Sequence, residues 1–286
     1  MRTRRGLAIS FSSIGDMHLS GSGNVTAALE SYGQALTIRE SLAAADPANV
    51  QTRHDLAISH LKMGAGLRKK GALVQAMASY RKALTIFAAL AAASPVNVQA
   101  RRDLIHCHRR IGETQTESGD PASALASHRQ AMALAESLSA AVPENAQARV
   151  EILLCHENIG EALSKMGRLP EALESYRKEL RMAEAMAAND PANAESRFDL
   201  AMAYSKLGQT QEALASHVMT PPGERAEKWR EARSWFQRSL DIFLDLRKRG
   251  PIRAVYAGEM EKVGKEISRC DASLAKYQKR AARPGK

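Results

Sequence analysis

Apolar residues recur along this chain at spacings of three and four, in blocks of about twenty residues separated by short polar or glycine-containing breaks. Leu56, Met63 and Leu67 fall on one face of a first block, and Ala76, Tyr80, Ala83, Leu84, Phe87 and Leu90 on one face of a second. The spacing predicts two amphipathic helices in succession. The pair then returns, because residues 30–49 read ESYGQALTIRESLAAADPAN and residues 78–97 read ASYRKALTIFAALAAASPVN.

The return has a fixed period. Asp46-Pro47, Ser94-Pro95, Val142-Pro143 and Asp190-Pro191 are each 48 residues apart, and the same step separates Gly64, Gly112, Gly160 and Gly208. Ala28, Ala76, Ala124 and Ala172 keep that register, as do Tyr32, Tyr80, His128 and Tyr176. Four copies in one register identify a repeat architecture. Asp or Ser before Pro reads as an N-cap with proline at the first helical position, opening the first helix of each pair. Gly71, Gly119 and Gly167 supply the left-handed residue that closes it, and Asp120-Pro121 opens the second helix of the third copy by the same device.

Gly15, Gly64, Gly112, Gly160 and Gly208 fall inside the first helix, where glycine costs about 1 kcal/mol relative to alanine. A compensating contact is expected. Glycine there, with alanine at Ala76 and Ala83, would let two helices approach closely while Tyr80 fills the space beside them.

The sequence Gly64, Ala76, Tyr80, Ala83, with its spacings of twelve, four and three, resembles the tetratricopeptide repeat, and the likeness runs through most of the chain. It implies an all-α, right-handed solenoid of helix-turn-helix units. The usual period of about 34 residues is exceeded by about 14, so both helices should be about two turns longer than usual. The column where that family prefers tryptophan holds Phe11, His60, His108, His156 and Tyr204. Five copies are expected, at about 1–46, 47–94, 95–142, 143–190 and 191–250, the last interrupted near 216–228 by about 12 extra residues around HVMTPPGERAEK. Residues 251–286 would supply a capping helix, roughly Met260 to Lys279, and a basic tail, for eleven helices in all.

Composition agrees with closely packed helices, with 44% hydrophobic residues but only 5% aromatic. The net charge of +10 is uneven: from residue 217 onward 17 Lys and Arg face 9 Asp and Glu. Acidic proteins, nucleic acid or an anionic surface are thus electrostatically reasonable partners. Cys107, Cys155 and Cys270 form no CxxC pair, which points to neither a disulfide framework nor a zinc knuckle and makes a reducing cytoplasm the expected setting. No apolar run reaches the ~18 residues of a membrane span. Ser10, Ser12, Ser13 and Asp16 make a poor signal-peptide core.

Catalytic patterns are fragmentary. GSGNVT at 21–26 lacks the third glycine and the preceding strand of a nucleotide loop, Ser59-His60-Leu61-Lys62 lacks the partners of an S-x-x-K acylase, and Gly160 stands where H-E-x-x-H needs its second histidine. His60, His108 and His156 form a ladder, but successive helix pairs lie about 10 Å apart, and zinc draws its ligands to about 2.3 Å. They read as packing or groove-lining residues; no catalytic residue, metal or cofactor is expected.

The resemblance implies a binding groove lined by first-helix positions. These are Ile58, His106, Leu154 and Met202; Lys62, Arg110, Asn158 and Lys206; and Ala65, Glu113, Glu161 and Gln209, with Arg109 beside them. The second column is cationic or amide throughout, suited to a peptide carboxylate. The bland alternative is a solvated face with local pairs such as Glu161 with Lys165. A second surface is the C-terminal basic set, Arg247, Lys248, Arg249, Lys262, Lys265, Arg269, Lys276, Lys279 and Arg280, which could meet nucleic-acid phosphates but has only Tyr256 and Tyr277 for stacking. Trp229, Trp235 and Phe236 read as core of the last pair.

The 48-residue register, the DPAN turns, ARSWFQRSLDIFLDLRKRG and EISRCDASLAK are similar to the tetratricopeptide tails that follow the catalytic domain in bacterial eukaryotic-type serine/threonine kinases. Kinase lysine, H-R-D and D-F-G motifs are absent from this chain. The expected function is therefore a non-enzymatic protein-interaction scaffold in bacterial signalling, a detached or truncated relative of such a tail. Its expected partner is a protein or peptide, a signalling kinase or its substrates among the candidates; nucleic acid bound by the basic end is the alternative.

Overall fold

Asparagine, rather than the aspartate before proline, starts the first helices. The computed structural model describes residues 2–94, 96–250 and 254–281, so Pro95 and Pro251 lie outside the described residues. It contains α1 (Arg2–Met17), a π-helical turn (His18–Ser22), α2 (Val25–Ala45), α3 (Val50–Lys69), α4 (Leu73–Ala93), α5 (Val98–Glu117) and α6 (Pro121–Ala141). There follow α7 (Ala146–Lys165), α8 (Leu169–Asn189), α9 (Ala194–Ser216), α10 (Pro222–Lys248) and α11 (Ala254–Ala281). No strand occurs among the described residues.

The side chains of Asn49 and Asn97 accept from the amides of Thr52 and Ala100, both at 3.1 Å, and Asn193 does the same for Ser196 at 3.1 Å. Asp46, read from the sequence as the N-cap, instead ends α2, its amide donating to Leu42 O at 3.2 Å; Asp190 ends α8 in the same way on Met186 O. The reason is the proline that follows each of them. It disfavours helical geometry in the residue before it, and Asp46 is held at φ −143°, ψ 79°. The Asn49 amide then donates to Asp46 O at 3.2 Å, closing the turn, and its carboxamide caps the new helix. Asp120 does cap α6 as expected, accepting from the Ser123 amide at 3.0 Å with Pro121 at the first helical position.

The other turn follows the glycines. Gly23, Gly71, Gly119 and Gly167 all have φ between 66° and 82°, and the amide after Gly71 reaches back from Ala72 to Leu67 O at 2.9 Å, a Schellman closure. In the first copy Gly23 stands eight positions after Gly15, whereas Gly71 stands seven positions after Gly64. The π-helical turn absorbs the extra residue, as a one-residue insertion in a helix requires. In the fifth copy Ala215 occupies the glycine position; α9 continues to Ser216, and most of the inserted segment extends α10 to 27 residues. Helices α3, α5 and α7 have 20 residues, and α2, α4, α6 and α8 have 21.

Contacts divide the chain into two units, one ending at Asn158 and one starting at Ile159, with α7 crossing the boundary. In the first unit α1 pairs with α2, α3 with α4 and α5 with α6, while α2 and α4 also pack on the next first helices, α3 and α5. In the second, α8 packs on α9, α9 on α10, and α11 along α10.

Within each pair the glycine meets the aromatic column. A Cβ added at Gly64 would stand 2.6 Å from the Tyr80 ring, one at Gly160 2.6 Å from Tyr176, and one at Gly208 2.7 Å from Phe236; His128 fills the same seat against Gly112, and Tyr32 against Gly15. No real side chain tolerates such distances, so only glycine admits the ring. Ala28, Ala76, Ala124 and Ala172 are fully buried beside these seats, and Ala232 repeats them in the displaced second helix of the last copy.

Side-chain pairs also join one first helix to the next. Arg5 meets Asp55 at 2.6 Å, His54 meets Asp103 at 2.8 Å and Arg68 meets Glu117 at 2.6 Å. The Asp103 carboxylate raises the His54 pKa above its ordinary value against the opposing effect of burial, with Asp55 assisting and Arg39 resisting. A histidine raised in the folded state contributes stability that is full below its unfolded pKa of about 6.5 and is lost as pH rises through the folded value. His60, His106, His108 and His128 are lowered by burial and act in the opposite sense. Comparison with His54→Gln therefore isolates the pair: the native chain should lose more urea stability than the variant between pH 6 and 8, and parallel pH profiles would show that the pair contributes nothing.

Candidate functional site

Seating each first helix through its glycine turns the position two residues earlier away from the partner helix. In the first unit this presents Lys62 and Arg110, with Ile58, His106 and Ala65 around them. Neither cation stands alone. Lys62 pairs with Asp16, and Arg110 donates to Glu113 Oε2 at 2.8 Å and to His106 Nε2 at 3.1 Å. Burial and the neighbouring arginines lower the His106 pKa to about 4, so its ring is neutral and can accept that bond.

Glu113 is the centre of the cluster. Arg68 reaches it at 3.3 Å and Arg109 at 3.7 Å in addition to Arg110, and Arg109 also binds Glu151 at 3.0 Å. Burial alone would raise the Glu113 pKa, but the three arginines outweigh it and hold the carboxylate below its ordinary range. Arg109 and Glu151 are buried, whereas the side chains of Arg68 and Arg110 are partly exposed, at 25% and 32%, so solvent reaches part of each. Asn158 is buried and belongs to packing rather than to an open surface. The sequence reading gave Arg109, Arg110 and Glu113 but missed Arg68, Asp16 and Glu151. Arg68 with Glu117, one copy apart, was the available signal.

In the second unit Lys206 Nζ binds Glu179 Oε1 at 3.0 Å. Glu179 is only 2% exposed and takes the position held by Ala35, Ala83 and Ala131 in other copies. This pair is therefore part of the helix contact. Met202 packs against the last core cluster, and Glu161 is exposed. Gln209 lines an open cleft of about 370 Å³ with Glu212, Glu266 and Arg269. Burial and Glu266 raise the Glu212 pKa, opposed by Arg269, which binds Glu212 at 2.9 Å and Glu266 at 2.5 Å.

Other candidates are absorbed by structure. His60 is buried, and among the described residues no group of three His, Cys, Asp or Glu is placed to hold a metal. All three cysteines are free and buried, and burial pushes each thiol up to about 12, away from nucleophilic character. At the basic end, Arg249 pairs with Asp245, Lys262 with Glu259 and Lys265 with Glu261. The side chains of Lys279 and Arg280 lie outside the described residues. Tyr256 is buried and stacked on Phe198 with centroids 4.2 Å apart, so it offers no face to a base. Trp229 and Phe236 are core, while Trp235 is half-buried against Tyr204 with Arg238 over its ring. No helix among the described residues is long and apolar enough to cross a membrane.

Residues 151–217 match the tetratricopeptide repeat family. No curated protein matches the chain. Among solved structures it is similar to the apo form of RapI, with a TM-score of 0.60 at 12% identity over 94% of this chain and 67% of that one. It is also similar to aspartyl phosphate phosphatase F from Bacillus subtilis, with a TM-score of 0.56 at 13% identity over 96% of this chain and 60% of that one. A third is a signal transduction ATPase with numerous domains from Pyrococcus horikoshii, described as carrying a tetratricopeptide repeat sensor. There the TM-score is 0.53 at 9% identity over 97% of this chain, which spans 38% of that protein. At these identities the likeness is one of fold.

The Lys206–Glu179 pair makes a sharp prediction. Lys206→Met leaves a carboxylate at a helix contact without its cation and should cost about 3 kcal/mol in urea unfolding. Adding Glu179→Ala, which restores the alanine of the other copies, should recover most of that loss. Additive losses in the two variants would show that the groups are not coupled.

Proposed function

We propose that this chain, a tetratricopeptide-repeat protein, is a non-catalytic scaffold that binds an acidic segment of another protein on its first-helix face. The observation that carries the reading is the convergence of Arg68, Arg109 and Arg110 on Glu113, with the side chains of Arg68 and Arg110 partly exposed. A carboxylate from a partner can take donors that Glu113 leaves unused, and arginine's planar fork suits bidentate capture. Lys62, on the preceding first helix, adds a cation whose acidic partner Asp16 is itself accessible and exchangeable. The first-helix candidates of the second unit, Glu161, Met202, Lys206 and Gln209, contribute less to this reading, because Lys206 is committed to a buried glutamate.

The kinase-tail likeness of the sequence supports a place in bacterial signalling, with a kinase or its substrates as the source of the acidic segment. A non-catalytic role agrees with buried, raised thiols and with the absence of kinase motifs from the sequence. Nucleic-acid binding at the basic end is the weaker reading, because the described cations there are largely met by local carboxylates.

The test is capture from a native cell lysate at low and moderate salt by the purified chain and by a variant carrying Lys62→Ala, Arg68→Gln, Arg110→Gln and Glu113→Gln. Replacing Glu113 together with its arginines leaves no buried carboxylate uncompensated. The expected result is one discrete protein retained by the native chain at both salt concentrations and lost from the variant, whose thermal melt stays cooperative. Retention of nucleic acid alone, equally by both chains, would overturn the reading.

A further inference from the structure

The tyrosine hydroxyls of the first two copies stand in the same place, but only one of them is met. In the first copy the residue after the seating glycine is Asp16, which accepts from the Tyr32 hydroxyl at 2.8 Å and pairs through its other oxygen with Lys62 of the next first helix. One carboxylate thus joins the ring of its own copy to the cation two residues before the next glycine. In the second copy Tyr80 repeats Tyr32 and Arg110 repeats Lys62, but Ala65 stands in the place of Asp16. The same position holds Glu113, Glu161 and Gln209 in the later copies, so the second copy alone has no polar side chain there.

The missing carboxylate leaves marks on both of its partners. Tyr80 is fully buried, and among the described residues its hydroxyl has no hydrogen-bond partner. Burial pushes its pKa up to about 12; Arg68 and Arg110 stand near enough to oppose that shift, yet neither meets the oxygen in hydrogen-bonding geometry. Arg110, with no acid at position 65, turns instead to Glu113 three residues on in its own helix and to His106. A buried hydroxyl left unmet costs free energy. The fold does not require it, because Phe236 fills the equivalent seat against Gly208 without a hydroxyl. Ala65 is partly exposed, as is Asp16, so solvent reaches the place where a carboxylate is lacking.

We propose that the place over Ala65 is the seat for an aspartate side chain of the bound segment, which accepts from the Tyr80 hydroxyl and pairs with Arg110 as Asp16 accepts from Tyr32 and pairs with Lys62. The inference rests on the proposed binding of an acidic segment at this face and assigns the point at which one of its carboxylates is read. Arg68 and Arg109 remain on Glu113, so Arg110 is shared without leaving that carboxylate unpaired. Tyr80 is the specificity residue of the seat. An apolar side chain in the same place leaves both the hydroxyl and the guanidinium group unmet, which is how a polar site rejects the wrong ligand.

The probe is an aspartate supplied by the chain itself. Ala65→Asp should raise the urea midpoint of the full chain at pH 7, where the carboxyl is ionised, and should raise it less in the Tyr80→Phe background, where the hydroxyl bond cannot form. Equal shifts in the two backgrounds would overturn the seat. Tyr80→Phe alone should leave the midpoint unchanged or higher, because the hydroxyl it removes is unmet; a lower midpoint would show that ordered water already fills the place and would overturn the proposal. In capture from the lysate, protein retained by the native chain should fall about tenfold with Ala65→Asp, whose own carboxylate occupies the seat, and should fall also with Tyr80→Phe. Equal capture by the native chain and both variants overturns the seat and leaves binding at the first-helix face standing. Failure of the native chain to retain any protein overturns the binding reading itself, and the ligand of the seat with it, whatever the urea midpoints show.

Discussion

The structure depends on one recurring contact, an aromatic or imidazole ring of the second helix pressed against a first-helix glycine. At Gly64, Gly112, Gly160 and Gly208 any Cβ would collide with Tyr80, His128, Tyr176 or Phe236. The helical penalty of glycine, about 1 kcal/mol each, is offset by burying a whole ring between the helices. The contact also fixes rotation. Once the glycine edge faces its own partner, the inter-copy column and the polar first-helix face are both determined, because they lie at set angles around the same helix.

Two kinds of interaction then link the copies. Apolar columns such as Leu104, Cys107 and Ile111 seat the preceding second helix, and ion pairs such as Arg5–Asp55 and Arg68–Glu117 connect first helix to first helix. The polar network is thus structural before it is functional. Its partly exposed members, Arg68 and Arg110, are those on which the proposed binding rests, whereas Lys206 is tied to the nearly inaccessible Glu179. The column of Lys62, Arg110, Asn158 and Lys206 thus divides between partly exposed and buried positions.

Much of this was legible in the residues. Period, helix count, glycine seats and left-handed turns follow from positions that keep the 48-residue register, because each reflects a backbone constraint that few residues satisfy. The capping assignment failed where two signals overlapped: Asp46-Pro47 satisfies the N-cap pattern, yet proline's effect on the residue before it ends α2 there, and Asn49 takes the cap. The π-helical turn shows only as the extra residue between Gly15 and Gly23. Side-chain partners were the least legible part. Lys62, Arg110 and Lys206 look equivalent in the sequence, but Asp16, Glu113 and Glu179 come from different helices and leave them with different freedom.

The central claim is that the first-helix glycines exist to admit the ring, and a stability cycle at Gly160 and Tyr176 tests it most directly by urea unfolding of the full chain. If the seat governs the pair, Gly160→Ala destabilises the native chain but stabilises the Tyr176→Ala background by about 1 kcal/mol, because only alanine's helix preference remains once the ring is gone. The same sign and size of effect in both backgrounds would contradict the account.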